Sequence, residues 1–150
     1  MPKITPFLMF NKGVKEAFEF YHSVFKNSKI LTMNDMGGMA SGEIEIEGQK
    51  LIGFDGGDHF SFTEGFSLMI DCHDQEEVDY YWGALSGNGG EESQCGWVKD
   101  RFGLSWQIVP KQLMELMGNP DPKKSQATLQ AMLKMQKIII ADLQTAHDNA

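Results

Sequence analysis

The clearest pattern in the chain is a helical one. Val14, Ala17, Phe18, Tyr21, Val24 and Phe25 recur at helical spacing, with Lys15, Glu16, Glu19 and Lys26 off that face. The spacing predicts an amphipathic helix, with Asn11 placed to cap it. Val78, Tyr81, Trp82 and Leu85 predict a second helix, entered by Asp74 with Glu77 three residues on, an acidic form of the capping box. Around these two helices the period shortens to two. Ile4, Pro6, Leu8 and Phe10 would share one face of a strand, Thr5, Phe7 and Met9 the other. Both faces are mostly apolar, so this strand is expected to be covered on both sides. Pro6 confines it to an edge, or to a place where the missing N–H does not matter. Residues 29–36 read as a strand, 37–42 as a loop, and Glu43 to Glu47 as a strand with one solvated face. Gly48-Gln49 turns that strand back into Lys50 to Phe54. Phe66 to Cys72 reads as a buried strand.

Cys95 to Pro110 (CGWVKDRFGLSWQIVP) carries the strongest β pattern. Two apolar runs flank Lys99-Asp100-Arg101-Phe102-Gly103, where Asp100 and Gly103 supply what a tight turn requires. Leu104, Trp106 and Ile108 then alternate with Ser105, Gln107 and Val109, and Pro110 is expected to stop the ladder. Beyond it, Pro110 to Met117 predicts a short helix. Asp121-Pro122 starts a long one with the stripe Leu129, Met132, Leu133, Ile139, Ile140 and Leu143, ending in a frayed tail at His147.

The order strand, helix, strand, hairpin thus occurs twice, over about residues 3–56 and 66–110. The helices are faintly alike: EAFEFY in the first, EVDYYW in the second. The architecture expected is α+β: one domain over 1–150, made of two βαβββ modules that enclose a concave space, with C-terminal helices over about 110–146.

Composition narrows the function. The 150 residues are 41% hydrophobic and carry a net charge of −8, which disfavours a phosphate backbone as partner. No apolar run approaches a membrane span, and the N-terminus lacks the order of a signal peptide. Two cysteines make no disulfide framework, so a cytoplasmic setting is expected.

ITPFLMF, KEAFEFYHSVF, DGGDHFSF, EEVDYYWGALS, CGWVKDRFGLSWQIVP and DPKKSQATLQAMLKMQKI resemble the PhnB-like family. This family belongs to the vicinal oxygen chelate superfamily, with the glyoxalase and bleomycin-resistance proteins. The resemblance covers essentially the whole chain and is most specific over 94–110; the stretch between Lys29 and Glu43 is short for such sequences. It implies the paired βαβββ fold and a homodimer. The family's label, 3-demethylubiquinone 3-methyltransferase, finds no support in the residues. The Gly pairs at 37–38, 56–57 and 89–90 do not stand between a first strand and its helix, where a nucleotide-type methyl donor would be cradled.

The resemblance also implies metal ligands on the first, fourth, fifth and last strands. Gln107 stands where the last carboxylate would, and an amide is a weak ligand beside Glu. The strands 4–10 and 66–70 offer no His, Asp or Glu. Asp55, just past the fourth strand, is placed to reach a cleft, but one carboxylate and one amide do not make a divalent site. No metal and no cofactor are therefore expected.

Of the four histidines, His22 and His73 read as surface residues and His147 as tail. His59, beside Phe60 and Phe62 in the linker, is either a satisfied loop residue or a titratable group at a cleft mouth. Cys95 reads as a small apolar residue, since nothing positive is placed against its sulfur. Phe7, Trp97 and Trp106 are the aromatic candidates for a cleft wall. Gln107, polar among bulky apolar neighbours, either orients a ligand or ties two strands. No nucleophile–base set is visible, so no catalytic residue is assigned. The leading expectation is metal-independent binding of a small molecule by Phe7, His59, Trp97, Trp106 and Gln107. The alternatives are a metal-assisted lyase, isomerase or dioxygenase, and a non-catalytic module filled by its own side chains.

Overall fold

The computed structural model describes residues 3–150. The chain divides into two compact units, Met1–Thr63 and Glu64–Ala150.

The first unit runs β1 (Phe7–Phe10), α1 (Val14–Val24), β2 (Ser28–Met36), β3 (Met39–Ile46) and β4 (Gln49–Asp55). Its sheet has the order β1-β4-β3-β2, with β1 parallel to β4 and the other pairs antiparallel. Pro6 precedes an edge strand, as its missing N–H requires, and its carbonyl accepts from the Ile52 amide at 3.0 Å. All six apolar positions of the first helical pattern are buried. They pack on the face of Leu8 and Gly53, where a Cβ on Gly53 would lie 2.5 Å from Val14 Cγ2 and 2.6 Å from Phe18 Cζ. Bare backbone there lets the helix seat directly on β4.

Three expectations for this unit are corrected. The helix cap is Gly13, in the left-handed region at φ 106°, and not Asn11. A carboxylate from another strand replaces the local cap: the Val14 amide donates to Asp55 Oδ1 at 2.9 Å. The loop at 37–42 shrinks to Gly37-Gly38, whose φ of 65° and 89° close a two-residue hairpin between Met36 and Met39. The first strand is covered on one side within its unit, because Phe7 is 56% exposed on the face away from α1.

The second unit repeats the pattern with β5 (Ser67–Cys72), α2 (Gln75–Ser86), β6 (Glu91–Glu92), β7 (Trp97–Lys99) and β8 (Ser105–Pro110). Its sheet order, β5-β8-β7-β6, is the first unit's order again, and its first and last strands are again parallel. Asp74 caps α2 by accepting from the Glu77 amide at 2.9 Å, while Glu77 Oε1 accepts from the His73 amide at 2.7 Å. The helix lies on the face of Leu68, Trp106 and Val98, as shown by Trp82 Nε1 donating to Glu92 Oε1 at 2.7 Å from the next position in that row.

Asp100 builds the turn between β7 and β8. Its Oδ1 accepts from the amides of Phe102 and Leu104 at 2.9 and 3.1 Å, and its Oδ2 from Trp106 Nε1 at 2.9 Å. The β8 ladder stops at Pro110, opposite Cys72, as expected from its missing N–H. β5 is not a buried strand, because Met69 on its helix-free side is 62% exposed.

The chain then forms α3 (Lys111–Met117), α4 (Pro122–Leu133) and α5 (Ile140–Asp148). The expected long helix is broken between Lys134 and Ile139. The β-branched run Ile138-Ile139-Ile140 is a poor helix interior. Backbone released from the helix there also meets other needs: Met135 O and Gln136 O accept from the amides of Cys95 and Gly96, each at 2.8 Å. Ile138 is fully buried with Val109, Leu113 and Leu143. Nor is the tail frayed. The His147 side chain is only 12% exposed, with one ring nitrogen 3.0 Å from Asn119 Nδ2 and the other 2.9 Å from Asp148 Oδ1.

Candidate functional site

Each sheet has one face under its helix and one face without it, and period-two alternation sorts the candidate residues between them. In the second unit Trp97, Gln107 and Met69 occupy one row across β7, β8 and β5 on the helix-free face. The next row on that face is Lys99, Ser105 and Ser67. Gln107 Nε2 donates to Ser67 Oγ at 2.9 Å, tying β8 to β5. Among the described residues its side-chain carbonyl has no protein partner, so it offers an acceptor between a half-exposed indole and a thioether.

At the rim, Lys99 Nζ lies 2.6 Å from Glu64 Oε1. Hydrogen bonding to Lys99 holds the Glu64 carboxyl below its usual range, and the same bond raises Lys99. The C-terminal helices bound this face on one side, through Val109, two residues on from Gln107.

Trp106 does not join this group, and the expectation that it walls a cleft is corrected. Its strand position puts it on the α2 side, it is 2% exposed, and its indole N–H is spent on Asp100. In the first unit, Phe7 shares its row with Ile52 and Glu43, and Met9 shares the next with Phe54 and Ser41, all away from α1. Lys50 Nζ lies 2.5 Å from Glu43 Oε2 on that face. His59 is exposed in the turn after β4, which the Phe60 amide closes on Gly57 O at 3.4 Å.

The residues present do not fit a divalent metal within either unit. Asp55 faces the α1 side and caps that helix. Gln107 is an amide already engaged with Ser67. Among the described residues, no three His, Cys, Asp or Glu side chains converge.

Ser67, Met69 and the Lys99–Glu64 pair were not visible as site residues in the sequence. Only the parallel pairing of β5 with β8 brings Ser67 and Met69 beside Gln107, and nothing local encodes that pairing.

The repeated β-α-β-β-β units share the fold of a glyoxylase/bleomycin resistance protein/dioxygenase domain from Frankia sp. EAN1pec, 11% identical with a TM-score of 0.53 over 73% of this chain and 92% of that one. The chain belongs to the family described as 3-demethylubiquinone-9 3-methyltransferase, whose model matches residues 2–109. A PhnB protein from Bacillus cereus, described as a putative 3-demethylubiquinone-9 3-methyltransferase, is 29% identical, with a TM-score of 0.67 over 73% of this chain and 99% of that one. Protein PA1353 from Pseudomonas aeruginosa is 20% identical, with a TM-score of 0.62 over 73% of this chain and 98% of its own. The fosfomycin resistance protein FosX from Listeria monocytogenes shares the fold at 16% identity, with a TM-score of 0.59 over 76% of this chain and 94% of that one. The comparison with curated proteins returns no match. No helix among the described residues is long and apolar enough to cross a membrane.

Proposed function

We propose that the protein binds a small molecule without a metal, on the helix-free sheet face that carries Trp97 and Gln107. The observation behind this reading is the half-buried Gln107 amide. One of its atoms is fixed by Ser67 and the other is presented between Trp97 and Met69. A ligand N–H or O–H would supply that free acceptor with a partner in place of water. The flanking indole and thioether favour an apolar or aromatic body on that ligand. Phe7 and His59 remain candidate contacts of the first unit. Homodimerisation fits the same reading, because a repeated module is readily exchanged between copies.

Methyl transfer, the activity in the family's description, is not part of this reading. Gly37-Gly38 is a hairpin turn, and neither sheet is the doubly wound parallel sheet that cradles a nucleotide-type methyl donor.

The test is a thermal-shift screen of small metabolites on protein treated with a chelator, run beside Gln107→Leu and Trp97→Ala. The expected result is a compound that raises the melting temperature of the chelated wild type and loses at least most of that shift in both variants. A shift that appears only when a divalent metal is restored would refute the reading in favour of the metal-assisted alternative. A screen with no hit would refute it in favour of a self-filled module.

A further inference from the structure

We propose that residues 134–140 form a strap that positions Trp97, and that Gln75 is its latch; the functional meaning of the strap rests on the reading of Trp97 as a ligand contact. The turn entering β7 is unusual. Cys95 and Gly96 both lie in the left-handed region, at φ 61° and 85°, and the Trp97 amide closes the turn on Gln94 O at 3.1 Å. A residue with a side chain is strained in that region, and such a conformation persists only where its surroundings over-determine it.

Here the surroundings are the strap. The two amides inside the turn donate to Met135 O and Gln136 O, each at 2.8 Å. Gly96 is held from the other side as well, since its carbonyl accepts from the Ile108 amide at 2.7 Å. A Cβ at Gly96 would lie 2.9 Å from Ile138 Cδ1 and 3.0 Å from Ile108 O, so only glycine leaves room for the strap to close.

The strap is itself pinned by one side chain from the start of α2. Gln75 Nε2 donates to Ile138 O at 3.0 Å, and Gln75 Oε1 accepts from the Ile140 amide at 2.8 Å. The same Nε2 lies 3.0 Å from Asp79 Oδ1, which also pairs with Lys137 Nζ at 2.9 Å. A primary amide carries a donor and an acceptor on separate atoms, so Gln75 satisfies a carbonyl and an N–H of the strap together. Gln75 therefore acts on Trp97 through the strap, as a positioning residue that touches no ligand.

The family match stops at residue 109, and the Bacillus cereus protein is accounted for over 99% of its length by 73% of this chain. The strap thus lies beyond the segment that the family model matches.

The experiment is amide hydrogen exchange by NMR on the whole ligand-free protein, with acrylamide quenching of tryptophan emission alongside. Trp82 and Trp106 are buried, so quenching reports Trp97. In Gln75→Ala the Cys95 and Gly96 amides should exchange roughly tenfold faster or more, the counterpart of losing about one net hydrogen bond. Quenching of Trp97 should rise, while the β8 amides keep wild-type rates. Gln75→Glu keeps an acceptor for Ile140 but sets a carboxylate oxygen against Ile138 O and the Asp79 carboxylate, so it should speed exchange at Cys95 and Gly96 at least as much as Gln75→Ala. Unchanged exchange at Cys95 and Gly96 in Gln75→Ala overturns the proposal, and so does an equal acceleration across β8. Neither measurement uses a ligand, so a failed metabolite screen and a failed strap are distinguishable results.

Discussion

Replacing Asp100 with alanine should be among the most damaging single changes in the second unit. The carboxylate is 2% exposed and accepts three hydrogen bonds, from the Phe102 and Leu104 amides and the Trp106 indole. The Phe102 amide is part-buried and can turn to water. The Leu104 amide and Trp106 Nε1 are buried and cannot. Each orphaned buried donor costs about 1–3 kcal/mol, so Asp100→Ala should lose about 4 kcal/mol. That is a large share of the roughly 5–15 kcal/mol typical of a folded domain. Asp100→Asn keeps an oxygen for the two amides but sets an NH2 against the indole N–H, so it should lose about 1–3 kcal/mol. Urea denaturation followed by tryptophan emission is the assay, and it reports this unit alone, because Trp82, Trp97 and Trp106 all lie in it. A double-mutant cycle with Trp106→Phe isolates the indole bond. A loss below about 1 kcal/mol for Asp100→Ala, or additivity within about 0.5 kcal/mol in the cycle, would refute the reasoning.

Two further outcomes follow from the polar groups. Burial pushes the Cys72 thiol up to about 12, so in the folded protein it should resist thiol reagents at mild alkaline pH and react only on unfolding, while half-buried Cys95 reacts first; mass spectrometry of alkylated protein checks the order. Because the folded value is raised, the Cys72 contribution is complete below the unfolded thiol value, about 8.5, and should be lost as pH rises from there to about 12, which alkaline denaturation measures. Asp55→Ala removes the cap of α1 and should lower the first unit's stability by about 1 kcal/mol, read by circular dichroism in urea; no loss would contradict the capping role.

The sequence carried the helices and strands well wherever burial follows a period. All six positions marked between Val14 and Phe25 are buried, and the Asp74–Glu77 cap forms. The repeat was legible because it lies in element order, and both sheets realise it with the same strand order. What escaped was set by partners distant in sequence. Asp55 reads as a cleft carboxylate until β1 and β4 pair and bring it to the start of α1. Trp106 reads as a wall residue, and only its bond to Asp100 shows which face of β8 it serves. The break at Lys134 to Ile139 answers amides near Cys95, which no helical periodicity can announce. Of the candidate site, Trp97 and Gln107 were legible as residues, but not their shared row with Met69.

Both sheets close by pairing their first strand with their last, so neither can be finished until its fourth strand has been made. The first unit then has its sheet complete, since β4 ends at Asp55. The second does not, because the cluster around Val109 also takes in Ile138 and Leu143. During synthesis the two units would therefore settle one after the other. The later one must keep Val109 from wrong partners while α3, α4 and α5 emerge, which makes the newly made second unit the stage most in need of a chaperone.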